Sequence, residues 1–291
     1  PGVALAIKMA GPFTELATKA FGSLTYDKSM SGEMDAYNVA SLGQSVARTE
    51  WKGHKTKIYF SRESENDKFR DATISIVTYN DAYDIRALMN SLQESSYFDR
   101  VSVYVVDNNS FDGTVDIIDK EYPWVHLYKS KKNLGFGTAH NLVIKHINSK
   151  YHFIVNPDII VQSETIENSV NYLDDNLDIV CMSPKVINID GTEQYLPKKN
   201  PEMKYMIGGM FEQYIPFCNE LRSEYTLEKE VITKPVDIEF CSGCFMATRT
   251  DALHKLEGFD EKFFLYFEDA DLTRRFKAVG RTTYNPTIRV V

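Results

Sequence analysis

No run of about 18 or more uncharged apolar residues occurs in the chain, so nothing in it reads as a bilayer-spanning helix. The N-terminal PGVALAIKMAGPF is apolar for only a few residues before Lys8 and lacks a basic leader and a cleavage site, so it does not read as a signal peptide. A net positive charge is also lacking, with 33 Lys and Arg against 41 Asp and Glu. A net charge of -8 argues against nonspecific nucleic-acid binding, because such binders carry a basic face, and an anionic substrate would need local cations or a metal. The four cysteines (Cys181, Cys218, Cys241, Cys244) are too few for a disulfide scaffold and fit a reducing cytoplasm. Cys241 and Cys244 have CxxC spacing, but no second close pair accompanies them, which speaks against a zinc site. No internal repeat is visible.

With 291 residues, 43% of them hydrophobic, the chain can bury one large core or two modest ones. Residues 1–70 form an N-terminal extension, rich in Ser, Gly, Lys and Thr, with one amphipathic stretch, TELATKAFGSL, and a linker-like end, SRESENDKFRD. From Ala72 the pattern turns regular. ATISIVTY, VSVYVV, WVHLY and YHFIV read as buried strands. Helical spacing follows them in turn at residues 81–97, 114–120, 136–147 and 164–176, with Asp81 placed to cap the first. Strand alternating with helix predicts an α/β fold with a mostly parallel sheet flanked by helices. Beyond Cys181 the rhythm breaks. Residues 185–235 read as loops, short strands and a surface helix, and DIEFCSGCFMATR as one more strand pair.

Open α/β sheets bind ligands beyond the carboxyl ends of their strands. Those ends carry Thr78-Tyr79-Asn80, Asp107-Asn108-Asn109-Ser110, Lys131 to Gly137, and Asn156-Pro157-Asp158. Any one of these alone is ordinary turn chemistry; together they predict a polar crevice along one sheet edge. The sharpest feature is YHFIVNPDIIVQ, where Asp158 is wedged between apolar runs, an expensive place for a carboxylate unless something binds it. NLGFGTAHN contains GxG after the third strand but not the dinucleotide fingerprint; a donor-rich turn entering a helix can still receive phosphate or sugar oxygens. Near the C-terminus, Glu268-Asp269 follows the apolar FFLYF, and Asp271 precedes Arg274 and Arg275 at a spacing that allows pairing within a helix.

VTYN, VVDNNSFDGT, NLGFGTAHN, NPD and FFLYFEDADLTRR, in that order, resemble the signature of family 2 glycosyltransferases of the GT-A fold, above all the bacterial rhamnosyltransferase-like branch. The resemblance covers roughly residues 72–291, and its specificity lies in the order and spacing of the motifs. It implies a GT-A domain over 71–291, truncated at its C-terminus, since family members often continue past TIRVV with a histidine that completes the metal site. It implies an inverting transfer from a dTDP- or UDP-linked sugar to a saccharide or lipid-linked saccharide in cell-surface polysaccharide synthesis, one transfer per encounter because the processive QxxRW motif is absent.

By the same carry-over, Asp158 is the ligand for Mg²⁺ or Mn²⁺, and Asn156 stands where the family's DxD motif has its first acid and contacts the donor ribose or sugar. Thr78, Tyr79 and Asn80 line the nucleotide pocket. Asp107 accepts from the base imide with help from Asn108. Asn133, Gly135 and Asn141 approach the nucleotide, and Ser242-Gly243 faces the donor sugar. Asp269 is the base and Glu268 orients it or the acceptor, with FFLYF keeping the pair desolvated. The resemblance further implies a cytoplasmic enzyme with peripheral contact at the inner membrane surface. Met203–Phe217 is the candidate contact for lipid or an apolar acceptor, with core or a homo-oligomer interface as the alternative. The rival functions are a sugar-phosphate nucleotidyltransferase, which would want a Gly-rich, Arg-containing loop after the first strand where this chain has VTYNDAYD, and a noncatalytic nucleotide-sugar or carbohydrate-binding domain.

Overall fold

The computed structural model describes residues 46–51, 54–59, 70–196, 198–205 and 216–291. The chain divides into two units, Pro1–Phe69 and Arg70–Val291. In the first, β1 (Val46–Trp51) and β2 (His54–Tyr59) form an antiparallel hairpin with Val46 opposite Tyr59. TELATKAFGSL and most of SRESENDKFRD lie outside the described residues.

The second unit is built on an eight-stranded mixed sheet, in the order β5-β4-β3-β6-β9-β7-β10-β8. Its parallel half consists of β3 (Ala72–Thr78), β4 (Val101–Asp107), β5 (His126–Lys129) and β6 (Tyr151–Val155). The connecting helices are α1 (Ile85–Gln93), α2 (Thr114–Glu121) and α3 (Phe136–Ile144), and α4 (Thr165–Asp175) follows β6. Parallel strands need such crossovers, which cover both faces of the sheet, so β3 and β6 are apolar almost throughout. The faces alternate along each strand. Ile74, Ile76, Phe153 and Val155 pack with Leu88, Met89 and Leu173 of α1 and α4. Ile154 packs on the opposite face with Ile144 of α3. That second face also holds a buried polar bridge. The Ser75 hydroxyl lies 2.7 Å from His140 Nδ1 and 2.8 Å from His152 Nε2, and Thr73 lies 2.7 Å from His152 Nδ1. Burial pushes the His152 imidazole down to about 3, so the bridge is neutral at ordinary pH.

The remaining strands depart from the sequence reading. DIEFCSGCFMATR does not make a strand pair. β8 (Val236–Asp237) is the edge strand, paired with β10 (Arg281–Val290), whereas β9 (Phe245–Arg249) runs antiparallel between β6 and β7 (Ile179–Val186). Both β7 and β10 carry a proline that disguises them. Pro184 lies beyond Cys181 and Met182, the residues of β7 that pair with β9, and Pro286 falls in a register shift between Asn285 and Arg289. In the 185–235 region the described helix is α5 (Pro216–Thr226); residues 206–215, the centre of Met203–Phe217, lie outside the described residues. Asp81 does not cap α1. Its carboxylate takes the Tyr79 N–H at 2.6 Å, and Asp84 occupies the N-cap without a side-chain bond. Helices α6 (Thr250–Lys255) and α7 (Glu268–Phe276) complete the unit. Among the described residues no helix is long and apolar enough to cross a membrane.

Candidate active site

The loops at the carboxyl edge of the sheet are stitched to one another. Thr78, fully buried at the end of β3, donates its hydroxyl to Asp107 Oδ1 at 3.1 Å, and Asp107 Oδ2 accepts the N–H groups of Asn109 and Ser110, each at 3.0 Å. Asp107 is therefore a buried loop organiser, with both carboxylate oxygens engaged. Asn80 adopts the left-handed conformation at φ 65°, which asparagine tolerates; its N–H reaches Ser110 Oγ and its side-chain oxygen takes the Phe111 N–H. Buried Asn108 bridges onward, donating to the Gly135 carbonyl at 3.2 Å and accepting the Leu134 N–H at 3.3 Å, while Asn133 accepts the Gly135 N–H at 2.8 Å. Tyr79, about half exposed, meets Phe111 edge to face at 6.5 Å, an open aromatic pair at the mouth. An aromatic inside the polar turn NNSFDG was the signal for Phe111 that the sequence reading passed over.

Gly135 is required on two counts. Its φ is +80°, and a Cβ there would stand 2.2 Å from the Phe264 carbonyl oxygen. That close approach lets the Phe136 N–H bond the same carbonyl at 3.2 Å and pins the segment leading to the acid pair. Beyond the pin, Tyr266 and Phe267 are both left-handed, at φ 70° and 68°, a conformation that costs about 1–2 kcal/mol per residue for side chains of this kind. Phe264, Leu265, Tyr266 and Phe267 are exposed, so FFLYF does not blanket the acids. On the other side Gly243 packs against Phe136 and the Asp269 Cβ.

Asp269 Oδ2 accepts the Gly243 N–H at 3.0 Å and Oδ1 accepts the Ala270 N–H at 2.8 Å. Burial raises the Asp269 carboxyl above the usual carboxylate range, against the lowering effect of those N–H groups. Glu268 is buried with Oε2 unpartnered among the described residues, and burial and then the Asp269 charge raise it as well. Asp271 instead pairs with Arg275 Nε at 2.6 Å, so pairing within the helix accounts for Asp271 and leaves the preceding acids free of it.

The NPD turn reaches the same backbone. The Asn156 N–H bonds the Cys244 carbonyl at 2.9 Å, one residue from Gly243, so Asn156, Ser242-Gly243 and Asp269 are neighbours through two hydrogen bonds. Asp158 is exposed, and its charge raises both the Cys244 thiol, which burial first pushes up to about 12, and the half-buried Asp81 carboxyl, raised chiefly by burial. Asp81 is a second acid at this edge that the sequence reading assigned to a helix cap. Val291 exchanges backbone bonds with Ile160, two residues past Asp158.

Asn141 stands apart from this cluster. It is buried, with its side-chain oxygen on the Phe259 N–H at 2.9 Å and its Nδ2 donating to the Phe259 carbonyl at 2.8 Å and to Glu261 at 3.3 Å. The structure makes it a clamp on the 258–261 loop, with both ends of its amide occupied by protein. A cavity of about 700 Å³ lined by Asn141, Lys145, His254 and Arg275 lies on this flank, away from the acid pair. Among the described residues no group of three or more His, Cys, Asp or Glu is arranged to hold a metal.

A central mixed sheet flanked by helices is the architecture of GT-A glycosyltransferases. Residues 73–257 match the sequence profile of glycosyl transferase family 2, so the chain belongs to that family and is a glycosyltransferase domain. It is 29% identical over 206 residues to the N-acetylglucosaminyl-diphospho-decaprenol L-rhamnosyltransferase of Mycobacterium tuberculosis, covering 66% of each chain. It is 23% identical over 168 residues to the rhamnosyltransferase WbbL of Escherichia coli, covering 54% of this chain and 60% of the relative. Among solved structures, GalNAc-T7 with UDP, GalNAc and Mn²⁺ superposes with a TM-score of 0.58 at 14% identity, over 77% of this chain and 43% of that one, a likeness of fold. The chain thus spans 66% and 60% of the two rhamnosyltransferases' own lengths and 43% of the solved structure's.

Proposed function

We propose that the Arg70–Val291 unit transfers a sugar, with inversion, from a dTDP- or UDP-linked donor to a hydroxyl of a saccharide or lipid-linked saccharide in cell-surface polysaccharide synthesis. The mycobacterial relative, named for a diphospho-decaprenol acceptor, supports the lipid-linked alternative. The single observation that carries the reading is the Gly243 N–H on Asp269, one residue from the carbonyl that holds the NPD turn.

Asp269 takes the proton of the acceptor hydroxyl as its oxygen bonds the anomeric carbon. The bond from that carbon to the phosphate oxygen breaks, and the nucleoside diphosphate leaves with the electron pair. A carboxylate raised by burial is a better base than a solvated one, and its N–H partners, Gly243 and Ala270, fix its orientation. Tyr79 and Phe111 offer the base an aromatic wall, while Asp107 and Asn108 act by shaping the loops around it. Asp158, exposed and with Asp81 nearby, suits a hard divalent cation, Mg²⁺ or Mn²⁺, that completes its shell with donor phosphates and water. When bound, such a cation would neutralise charge on the departing diphosphate.

The test is a thermal-shift series with UDP, dTDP, GDP and NAD, each with and without Mn²⁺, followed by nucleoside diphosphate release from the matching sugar donors. Stabilisation by UDP or dTDP that strengthens with metal is expected. Preference for NAD, or no diphosphate release from any donor, would overturn the reading.

A further inference from the structure

Two supports of the acid pair meet at Phe136, the first residue of α3. Its backbone N–H bonds the Phe264 carbonyl at 3.2 Å, on the segment that leads into Glu268 and Asp269. Its ring lies against Gly243. A Cβ on that glycine would stand 3.0 Å from the ring Cζ, 3.1 Å from Cε1 and 3.6 Å from the Asp269 Cβ. Gly243 in turn donates its N–H to Asp269 Oδ2 at 3.0 Å. The same residue therefore holds the chain that enters α7 and the turn that orients the carboxylate. Positions 136 and 243 also specify each other, because any side chain at 243 would force the ring to move.

The ring is itself wedged in place. His140 meets it at 4.4 Å with 66° between planes, and Phe259 meets it edge to face at 5.7 Å. His140 is fully buried, and its bond to Ser75 ties it to His152 and the centre of the sheet. Phe259 is clamped by Asn141 through both its N–H and its carbonyl. Gly137 belongs to the same packing, since a Cβ there would stand 2.8 Å from the Phe259 Cβ. Close-packed groups transmit a displacement rather than absorb it, so the ring's position passes to Gly243 and from there to Asp269. Phe136 is only partly buried, unlike His140 and Phe259, and stands at the border of the core. Shortening it frees the Gly243 turn without emptying the core behind.

We propose that Phe136 is a positioning residue for Asp269, its ring fixing the Gly243 turn and its N–H fixing the segment before the acids, so that the carboxylate keeps the orientation that proton removal requires. This rests on the transfer reading above and gives the aromatic of the NLGFG turn a task separate from nucleotide contact.

The experiment is a double-mutant cycle of Phe136→Leu with Asp269→Asn in the full chain. Leucine stays apolar but lacks the ring atoms that reach Gly243. The donors are UDP-glucose, UDP-N-acetylglucosamine and dTDP-rhamnose, with phenyl glycosides of glucose, N-acetylglucosamine and rhamnose, or water alone, as acceptors. Nucleoside diphosphate release is measured below each variant's unfolding transition. With Asp269 present, Phe136→Leu is expected to lower kcat about 10–100-fold, the scale of a catalytic group misplaced by up to about 1 Å, with donor KM and UDP or dTDP affinity within about twofold. With Asn at 269 the same change should cost less than about threefold, because no base is left to misplace. Gly243→Ala disturbs the contact from the glycine side and should reproduce this pattern, so the cycle stands even where Phe136→Leu does not fold. Equal losses in the two backgrounds, an unchanged kcat, or nucleotide affinity falling in step with kcat would overturn the assignment. Wild-type protein that releases no nucleoside diphosphate, or Asp269→Asn that turns over within about tenfold of wild type, would instead overturn the transfer reading and the assignment with it.

Discussion

Asp269→Asn separates chemistry from folding more cleanly than any other single change. In the structure the carboxylate accepts N–H groups from Gly243 at 3.0 Å and Ala270 at 2.8 Å, and in the proposed transfer it is also the base. Asparagine keeps one acceptor oxygen and turns the other into an N–H donor, which leaves one backbone N–H without a partner at a cost of about 1–3 kcal/mol. Against that, the native carboxyl is raised by burial, so its ionised form opposes folding at neutral pH, and the neutral amide removes that burden. The two effects have opposite sign, and a net change within about 2 kcal/mol is expected. At about 2–4 °C per kcal/mol for a unit of this size, the Tm should move by less than about 8 °C. Turnover should fall about 10²–10⁴-fold, the ordinary worth of a general base and about 3–5 kcal/mol on the barrier. The assay is nucleoside diphosphate release in parallel with calorimetric binding of UDP or dTDP. Turnover within tenfold of wild type, or nucleotide affinity lost along with turnover, would refute the assignment of the base. In the wild type, kcat/KM should decline with falling pH from a point above the usual carboxylate range, because protonation of Asp269 removes the base.

Glu268→Gln should raise the Tm at pH 8, since the native carboxyl is raised by burial and by Asp269. That gain should shrink toward zero near pH 4, where folded and unfolded forms are both protonated; a gain that grows on acidification would sink the argument. Asn141→Ala should cost about 2–4 kcal/mol by leaving the Phe259 N–H and carbonyl unpaired, read by denaturant unfolding, with nucleotide affinity unchanged; weakened nucleotide binding at full stability would restore it to the donor pocket. Asp158→Ala should abolish the strengthening of UDP or dTDP binding by Mn²⁺ while leaving the Tm of the free protein within about 2 °C, as expected for an exposed carboxylate; retention of the metal effect would move the cation elsewhere. Gly135→Ala should cost at least about 1–3 kcal/mol from its left-handed backbone alone and lower turnover by displacing Phe264, checked by unfolding and rate together.

The parallel half of the sheet was legible because strands buried on both faces are continuous apolar runs, as in ATISIVT and YHFIV, and each helix carries its own periodic face. The strands that escaped detection, β7 and β10, contain prolines, and a proline is tolerated only where a bulge or a missing neighbour frees its nitrogen, which a linear pattern does not display. Asn141 is ambiguous in sequence for a related reason. Polar residues near a GxG turn look alike in sequence whether they face a ligand or clamp a loop, and only the Phe259 backbone on both ends of the amide distinguishes the two.

Sequence by itself determined the α/β class, the order of the polar turns and the identity of the acids, because these depend on local periodicity and residue chemistry. Tertiary structure alone decided which acid is free and which is spent. Asp271 lies against Arg275 one helical turn away, whereas Asp269 rests on Gly243, 26 residues distant. Hydrogen bonds between distant backbone segments form only when the core brings the strands together, so no local pattern encodes them.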